Sequence, residues 1–252
     1  MFKIKLLHNK DYIRNFNGKK WYEVIISIDK RSRIWISIPF RWMYKPYKLR
    51  RLVSLDINLR KIVVYSGRGI RRVDTRYIDA LSLKIHAEKL QKKYTKIWRH
   101  NERILGRVRS LHRRSRNIVI DWSRKFAKYI VLKAKRTKCA IVLEDLNKLW
   151  FNVSQKSSSL ADKLSRFAYH KLQQAIITKA IEYNVPIIFV DPRNTSMICP
   201  RCRAKLVYNH RLAICRKCGF IGDRDTVGAV NIYLRTHRRM SPSKGEGGML
   251  PQ

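Results

Sequence analysis

Four cysteines near the C-terminal end of the sequence have the spacing of metal ligands. Cys199 and Cys202 form one Cys-x-x-Cys pair, Cys215 and Cys218 form a second, and 12 residues separate the pairs. Four thiolates at this spacing can close a tetrahedral zinc site, and a closed four-cysteine site is structural rather than catalytic. The spacing therefore predicts a zinc ribbon with a small hairpin between the pairs. Several cations within this stretch are candidates for contact with nucleic acid, among them Arg201, Arg203 and Arg216.

Carboxylates form the second group of residues that could do chemistry. The chain has only 17 acidic residues, yet Asp223 and Asp225 follow the cysteines almost at once, and Glu144 and Asp145 follow a short apolar run. Buried carboxylates are costly unless they are paired or bind a metal, so three acids meeting at one sheet edge would suit two Mg²⁺ ions in phosphodiester cleavage. Asp56 is the third candidate, although alone its position beside a turn favours a structural role. Because Asp56 and Glu144 lie 88 positions apart, spacing does not show that they meet.

Short apolar runs predict the strands that would carry these acids. The runs FKIKLLH, WYEVIISID and RIWISIP indicate β-structure over residues 1–49, and RLVSLDINLRKIVVYSGRGIRRV predicts three short antiparallel strands. CAIVLEDL and VPIIFVD each predict a buried strand. Glu144 would then stand at the C-terminal end of its strand, where open α/β sheets place their sites.

Helical periodicity fills much of the remaining chain. Residues 76–116 have a 4-3 apolar spacing that predicts a long amphipathic helix or a helical hairpin, with Asn101 filling one polar position. Residues 117–136 predict another helix, and a third is expected from about Leu160 to Asn184. The resulting order is a β-segment, then βββ-α-β-α-β, a zinc insertion and a last helix, which is an α/β fold. The outer faces of the first helical region are densely basic, which favours a nucleic-acid surface that includes Arg113, Arg114 and Arg116.

The net charge narrows the class of partner. In 252 residues, 57 Lys and Arg oppose 17 Asp and Glu, giving a formal charge of +40. A chain with this much positive charge repels itself unless a polyanion neutralises it, and the phosphates of a nucleic acid can do so. No apolar run approaches the ~20 residues of a membrane-spanning helix, and the polar start predicts no secretory signal. Metal-like rather than disulfide-like cysteine spacing favours a reducing, intracellular and cytoplasmic location, with no membrane partner.

Three motifs and the four cysteines resemble, in content and in order, the TnpB family of transposon-encoded proteins, which are relatives of the type V CRISPR effectors. The matching stretches are SLDINLRKIVVYSG, IVLEDL, TSMICPRC and CRKCGFIGDRDTVGAVNI. The resemblance covers roughly residues 20–235. It implies a RuvC-like nuclease domain of RNase H fold with a helical insertion, and a zinc ribbon inserted before the last motif.

The resemblance also implies a site and a reaction. By position, Asp56, Glu144 and Asp225 match the three catalytic acids that hold Mg²⁺, Asp223 matches a supporting acid, and the four cysteines match the zinc ligands. The family implies RNA-guided, Mg²⁺-dependent DNA cleavage associated with transposition and recombination. Its partners would be DNA and a guide RNA derived from the transposon end.

The same resemblance divides the chain into segments. Residues 1–49 are expected to form a β-rich, wedge-like segment. The nuclease domain is expected over residues 50–193 and, after the zinc ribbon of residues 194–219, again over residues 220–236. The remaining residues, 237–252, are rich in Gly, Ser and Pro and are expected to form a disordered tail.

Departures from the family pattern keep an alternative open. Family members usually begin with more wedge sequence and a helical recognition segment, and this chain starts after that point. Asn58 stands where the family tends to have Gly, and Thr226-Val227-Gly228 replaces a more usual Val-Asn-Ala. The alternative is a catalytically impaired or truncated relative that binds DNA or RNA without cutting it. A third interpretation, a ribosome-associated basic protein with a zinc ribbon, explains the charge but not the acids at the strand ends.

Overall fold

The computed structural model describes residues 23, 25–29, 32–37, 46–145 and 159–240. The chain divides into two compact units, residues 1–46 and 47–252. In the first unit, strands β1 (Ile25–Ile28) and β2 (Ile34–Ser37) pair as an antiparallel hairpin, which confirms two of the three strands predicted there. The strand predicted at FKIKLLH lies outside the described residues.

A mixed five-stranded sheet forms the centre of the second unit. Its strands are β3 (Arg51–Ile57), β4 (Lys61–Tyr65), β5 (Ile70–Asp74), β6 (Cys139–Glu144) and β7 (Ile187–Val190). The order across the sheet is β5-β4-β3-β6-β7. Strands β3, β4 and β5 form an antiparallel meander, and β6 and β7 extend the sheet from β3 in parallel. The five strands predicted within residues 51–190 are therefore confirmed.

The described residues contain four helices. They are α1 (Tyr77–Lys93), α2 (Glu102–Thr137), α3 (Leu160–Tyr183) and α4 (Arg224–Met240). Helix α3 starts in a capping box, in which Ser159 and Asp162 exchange side-chain and backbone hydrogen bonds, and it ends at Asn184 in a left-handed conformation. Helix α4 continues to Met240, four residues past residue 236, where the last segment before the tail was predicted to end, and residues 241–252 lie outside the described residues.

The predicted division between a helical region ending at residue 116 and a helix starting at residue 117 is wrong. Helix α2 is continuous for 36 residues across this point. Ser115 lies buried inside it, where its hydroxyl donates to the carbonyl of Ala80 on α1 at 2.7 Å, so the helix needs no break. The chain reverses earlier, at residues 94–101, where Asn101 accepts a hydrogen bond from the N–H of Ile104 and caps α2. Asn101 is a cap and not a polar position within one longer helix.

Both faces of the sheet are covered, as the alternation of buried residues in β6 requires. Ile141 and Leu143 belong to the core under α2 and α3, whereas Ala140 and Val142 belong to the core under α4. The unit thus has three layers, and among the described helices α4 is the one that covers the second face of the central strands. No helix among residues 46–145 and 159–240 combines the length and hydrophobicity that crossing a bilayer requires.

The cysteine-rich segment folds as a ribbon of three short strands. These are β8 (Val207–Asn209), β9 (Leu212–Ile214) and β10 (Ile221–Asp223), arranged antiparallel in the order β10-β9-β8. The hairpin predicted between the cysteine pairs is β8–β9. Strand β10 extends the ribbon to Asp223, four residues beyond the predicted end, and leads without a loop into α4.

Candidate active site

Asp56 and Glu144 stand at the same level on neighbouring parallel strands. The β3–β6 register pairs Arg51 with Cys139 and Ser54 with Val142, so two residues further along Asp56 is level with Glu144. Side chains two residues apart on a strand lie on the same face of the sheet, so both acids share the face of Ser54 and Val142, which is the face covered by α4. The strand order therefore brings together two acids that are 88 positions apart in sequence.

Asp225 reaches the same edge because α4 begins there. The Asp223 side chain caps the helix, accepting hydrogen bonds from the N–H groups of Asp225 at 3.2 Å and Thr226 at 3.3 Å. One turn further, the buried Ser54 hydroxyl donates to the carbonyl of Ala229 at 2.6 Å and fixes α4 against β3. The Asp223 cap thus sets the first turn of the helix that carries Asp225.

Gly228 lets α4 approach Asp56 closely. A Cβ at this position would lie 3.2 Å from Asp56 Cγ, tighter than most side-chain contacts. The sequence showed Gly228 only as a departure from the family pattern. The signal that could have singled it out is its position one helical turn after Asp225, on the side that must face the strand acids.

The crowding of acids changes their proton affinity. Burial, and then the charges of Glu144 and Asp225, raise the pKa of Asp56 to about 7, against a partly opposing hydrogen bond that Asn58 Nδ2 donates to Asp56 Oδ2 at 3.0 Å. Burial also raises the pKa of Glu144, while the Thr195 hydroxyl and the charge of Arg235 lower it. A cluster whose own repulsion favours protonation gains most from a bound cation.

Three side chains hold Glu144 in place. Thr195 Oγ1 donates to Glu144 Oε1 at 2.6 Å, and Tyr169 and Gln173 of α3 donate to its backbone carbonyl at 3.4 Å each. Burial, followed by the charges of Glu144, Asp56 and Asp145, raises the pKa of Tyr169 well above its usual value, so its hydroxyl stays protonated. Sequence reasoning missed Thr195 and Tyr169, because nothing in their local pattern marks them.

Two cations neutralise the third acid. Lys61 Nζ lies 3.7 Å from Asp225 Oδ2 and 3.8 Å from Asp223 Oδ1, and the guanidinium of Arg211 donates directly to Asp225 Oδ2. Asp225 is only 5% exposed, so these contacts compensate a largely buried charge. Arg211 lies between β8 and β9, and its carbonyl accepts from the N–H of Arg224, which ties the ribbon hairpin to the start of α4.

The four cysteines meet at one point. Their Sγ atoms all lie within 4.8 Å of one another, with 3.6 Å between Cys199 and Cys218 and 3.4 Å between Cys202 and Cys215. A tetrahedral Zn²⁺ with Zn–S bonds of about 2.3 Å needs sulfur atoms about 3.8 Å apart, so the cluster fits this ion. Across residues 46–145 and 159–240, no other set of three or more His, Cys, Asp or Glu ligand atoms is this compact, so the carboxylates of the strand edge lie further apart.

Two matched turns form the cysteine cluster. The N–H of Arg203 donates to the carbonyl of Cys199 at 2.9 Å, and the N–H of Gly219 donates to that of Cys215 at 3.0 Å. Both turn residues have positive φ, 65° and 69°. The cluster packs on Val227 of α4, so the ribbon and the helix that carries Asp225 share one small core.

The cations proposed for nucleic acid lie at the surface in separate places. Arg113 and Arg116 line a cavity of about 370 Å³ on the helical side of the unit, together with Lys84, Arg109 and His112. Arg114 is exposed on the same helix, and Arg201, Arg203 and Arg216 are exposed on the ribbon. Arg203 also lines a cavity of about 380 Å³ with Arg235 and Arg238 of α4.

Comparison with known proteins defines the class of this fold. The Cas12f1-like TNB domain family matches residues 169–232. One chain of a cryo-EM structure of a CRISPR-Cas12f ternary complex superimposes with a TM-score of 0.55 at 19% identity, covering 83% of this chain and 44% of that one. Strand order, layers and ribbon together define an RNase H-like, RuvC-type α/β domain with a helical insertion and a four-cysteine ribbon, as expected.

Sequence similarity then gives the family. TnpB-like protein MJ0751 of Methanocaldococcus jannaschii is 30% identical over 238 residues, which are 91% of this chain and 84% of that protein. The CRISPR-associated endodeoxyribonuclease Cas12f1 of Sulfoacidibacillus thermotolerans is 33% identical over 115 residues, 44% of this chain and 25% of that enzyme. The chain belongs to the TnpB family. It spans most of MJ0751 but less than half of the superimposed Cas12f chain.

Proposed function

We propose that this protein is a transposon-associated, RNA-guided and Mg²⁺-dependent DNA endonuclease. The observation that supports this best is the meeting of Asp56, Glu144 and Asp225, from three separate elements, at the carboxyl end of β3 and β6. A relative of this chain is named an endodeoxyribonuclease, and another forms a CRISPR ternary complex. By analogy, the nucleic-acid partners would be target DNA and a guide RNA made from the transposon end.

Asp56, Glu144 and Asp225 would hold two Mg²⁺ ions through hard carboxylate oxygens. When bound, such a pair activates water and stabilises the leaving oxygen of a phosphodiester. Asn58 orients Asp56, Thr195 orients Glu144, and the cap made by Asp223 orients Asp225. Lys61 and Arg211 neutralise Asp223 and Asp225 while the carboxylates have no other cation.

The cysteine cluster would hold one structural Zn²⁺. All four positions are occupied by protein ligands, so such an ion has no open coordination site for catalysis. Its role would be to fix β9, β10 and the first turn of α4, and with them Asp223 and Asp225. Arg201, Arg203 and Arg216 on the ribbon, and Arg113, Arg114 and Arg116 on α2, would contact nucleic-acid phosphates.

The decisive experiment is cleavage of a matched target. The protein is expressed together with its flanking transposon DNA, co-purified RNA is sequenced, and a plasmid carrying the complementary target is incubated with the complex and Mg²⁺. The wild type is expected to linearise or nick the plasmid, and Asp56→Ala is expected to lose at least a hundredfold in rate. Asp121→Ala is the control, because Asp121 is an exposed acid of α2 that pairs with Lys125 of the same helix. Equal cleavage by the wild type and Asp56→Ala would exclude the proposal.

A second candidate function is binding of DNA or RNA without cleavage. The ion pairs of Asp225 with Arg211 and Lys61 favour it, since a site neutralised by its own cations has less need of a metal. In that case the purified protein carries RNA and binds DNA with strong salt dependence, yet leaves a matched plasmid intact with Mg²⁺ or Mn²⁺. Absence of both bound RNA and salt-dependent affinity would exclude this candidate as well.

A further inference from the structure

A third basic concavity lies at the other end of the central strands. It has a volume of about 310 Å³, and its rim carries Arg51, Arg68, Arg71 and Lys133. Arg51 begins β3 and Asp56 comes five residues later on the same strand, so at about 3.3 Å per residue the rim lies about 16 Å from the carboxylate edge. We call this concavity, between α2 and the β3–β4–β5 meander, the distal groove.

The four rim cations form no ion pair with any acid in the described part of the chain. No carboxylate within residues 46–145 and 159–240 lies within ion-pair distance of any of them, and the lining of the groove contains no acid. Four like charges around one concavity repel each other, which opposes folding unless an anion is bound. The groove therefore has the electrostatics of a site for several phosphates or carboxylates.

The floor of the groove is apolar. Val64 of β4, Ile130 of α2 and Cys139 of β6 form its almost fully buried base, and Ile70 of β5, which is 43% exposed, brings the apolar surface of the floor to solvent. Inorganic phosphate or a duplex backbone would satisfy the rim but leave this floor in contact with water. A ligand that fills the groove has to combine anionic groups with flat or apolar ones.

A partly exposed aromatic ring joins the rim. Tyr129 is 43% exposed, its hydroxyl accepts a hydrogen bond from Arg71 Nη1 at 3.0 Å, and Lys133 Nζ lies 5.9 Å from its ring centroid. Cations interleaved with an accessible aromatic ring are the usual means of holding single-stranded nucleic acid, since phosphates take the charges and a base stacks on the ring.

We propose that the distal groove binds single-stranded nucleic acid, with phosphates on the four rim cations and bases against Tyr129 and the apolar floor. This inference deepens the proposed function and rests on it only for the choice of nucleic acid as partner, since neither metals nor cleavage enter. A single strand fits better than a duplex, whose bases are already paired and stacked. It also fits better than an acidic peptide, whose carboxylate side chains would not cover the floor.

The test is fluorescence anisotropy with a labelled single-stranded oligouridylate, without Mg²⁺ and with the full chain freed of co-purified RNA. Arg68→Glu/Lys133→Glu is expected to weaken binding at least tenfold and to reduce the salt dependence by about two phosphate contacts. Arg124→Glu/Lys128→Glu, exposed on α2 and absent from the lining of the groove, makes the same charge change and is expected to cost less than threefold. Equal losses of affinity in the two double variants would mean that only the total charge of the protein matters, and this would overturn the proposal.

Tyr129→Ala separates stacking from charge. It is expected to weaken single-strand binding about tenfold or more and to leave binding of a duplex of equal length unchanged. An equal effect of Tyr129→Ala on single-strand and duplex binding would overturn the proposal. So would a variant that binds oligouridylate unchanged but no longer binds polyglutamate, which represents the acidic peptide. Plasmid cleavage in the nuclease assay reports on the carboxylate edge separately, because the oligonucleotide assay contains no Mg²⁺ and measures binding alone.

Discussion

Arg211, at the turn of the ribbon hairpin, donates its guanidinium to the largely buried carboxylate of Asp225, 14 residues further along the chain. The same side chain lies near Asp223, at 3.7 Å between Nε and Oδ2. A ribbon residue and Lys61 of the central sheet therefore together supply the positive charge that opposes this acid.

Replacing Arg211 by Gln is expected to raise the affinity of the carboxylate edge for Mn²⁺ by about threefold or more, because a competing cation is removed. Isothermal titration of the zinc-loaded protein measures this affinity. Arg216→Gln, an exposed ribbon substitution, serves as the control and is expected to change little. Weaker Mn²⁺ binding in the Arg211 variant would mean that Arg211 supports the metal site and does not compete with it.

Asp56 is expected to make stability depend on pH. Its pKa rises on folding from 3.8 to about 7, so the folded state binds the proton more tightly than the unfolded state. The stabilisation that this proton provides is complete below about pH 4 and is lost as the pH rises towards 7, at up to about 1.4 kcal/mol per pH unit. Urea denaturation without Mg²⁺ is expected to show a shallower decline over this window for Asp56→Asn. Parallel curves for the wild type and the variant would contradict the shift.

Thr195 is expected to stabilise the protein through Glu144. Thr195→Val keeps the shape of the buried side chain but removes the hydroxyl that donates to the carboxylate at 2.6 Å. The free energy of unfolding is expected to fall by about 1.5–3 kcal/mol at neutral pH, and Thr195→Ser is expected to retain most of it. Urea denaturation distinguishes the two, and equal losses would point to packing rather than to the hydrogen bond.

Cys215→Ser is expected to abolish zinc binding and to loosen α4. Cys215 is buried beside Val227, so the ribbon core and the first turn of the helix would lose their anchor together. Atomic absorption is expected to find a single zinc per chain in the wild type and little in the variant, with faster amide exchange at residues 223–228. Full zinc content in the variant would refute the four-cysteine site.

Gly67→Ala is expected to destabilise the protein by about 2 kcal/mol or more. Gly67 has φ of 79°, and a Cβ there would lie 2.6 Å from the Tyr233 hydroxyl of α4. Gly69, in the same turn, has open space around its Cβ position, so Gly69→Ala is expected to stay within about 0.5 kcal/mol of the wild type. Thermal unfolding measures the stability of the two variants, and equal losses of stability would contradict the prediction.

Local patterns were sufficient where one segment determines its own structure. The apolar runs around Leu55 and Leu143 are strands, and the two Cys-x-x-Cys pairs meet, because strand burial and knuckle geometry depend on neighbouring residues. The end of α3 at Asn184 was also predictable, since Asn readily takes the left-handed conformation that ends a helix.

Long-range relations were not open to the same reasoning. The level pairing of Asp56 with Glu144 depends on strand register, which no local pattern encodes. Thr195, Arg211 and Gly228 act only through residues brought to them by the fold. The continuity of α2 was missed because Ser115 bonds a neighbouring helix, so a polar residue sits in a buried helical position without ending it.

Helix α2 joins three separate hydrophobic clusters along its 36 residues. Val108 packs near the turn between α1 and α2, Val119 in a middle cluster and Ile130 against the sheet. At about 1.5 Å per residue this is a rod of about 54 Å. Evolution can therefore lengthen or shorten the outer part of the α1–α2 pair by whole helical turns without moving the strand edge that carries the acids. The length of the helical arm and the arrangement of the carboxylates can thus change independently of each other.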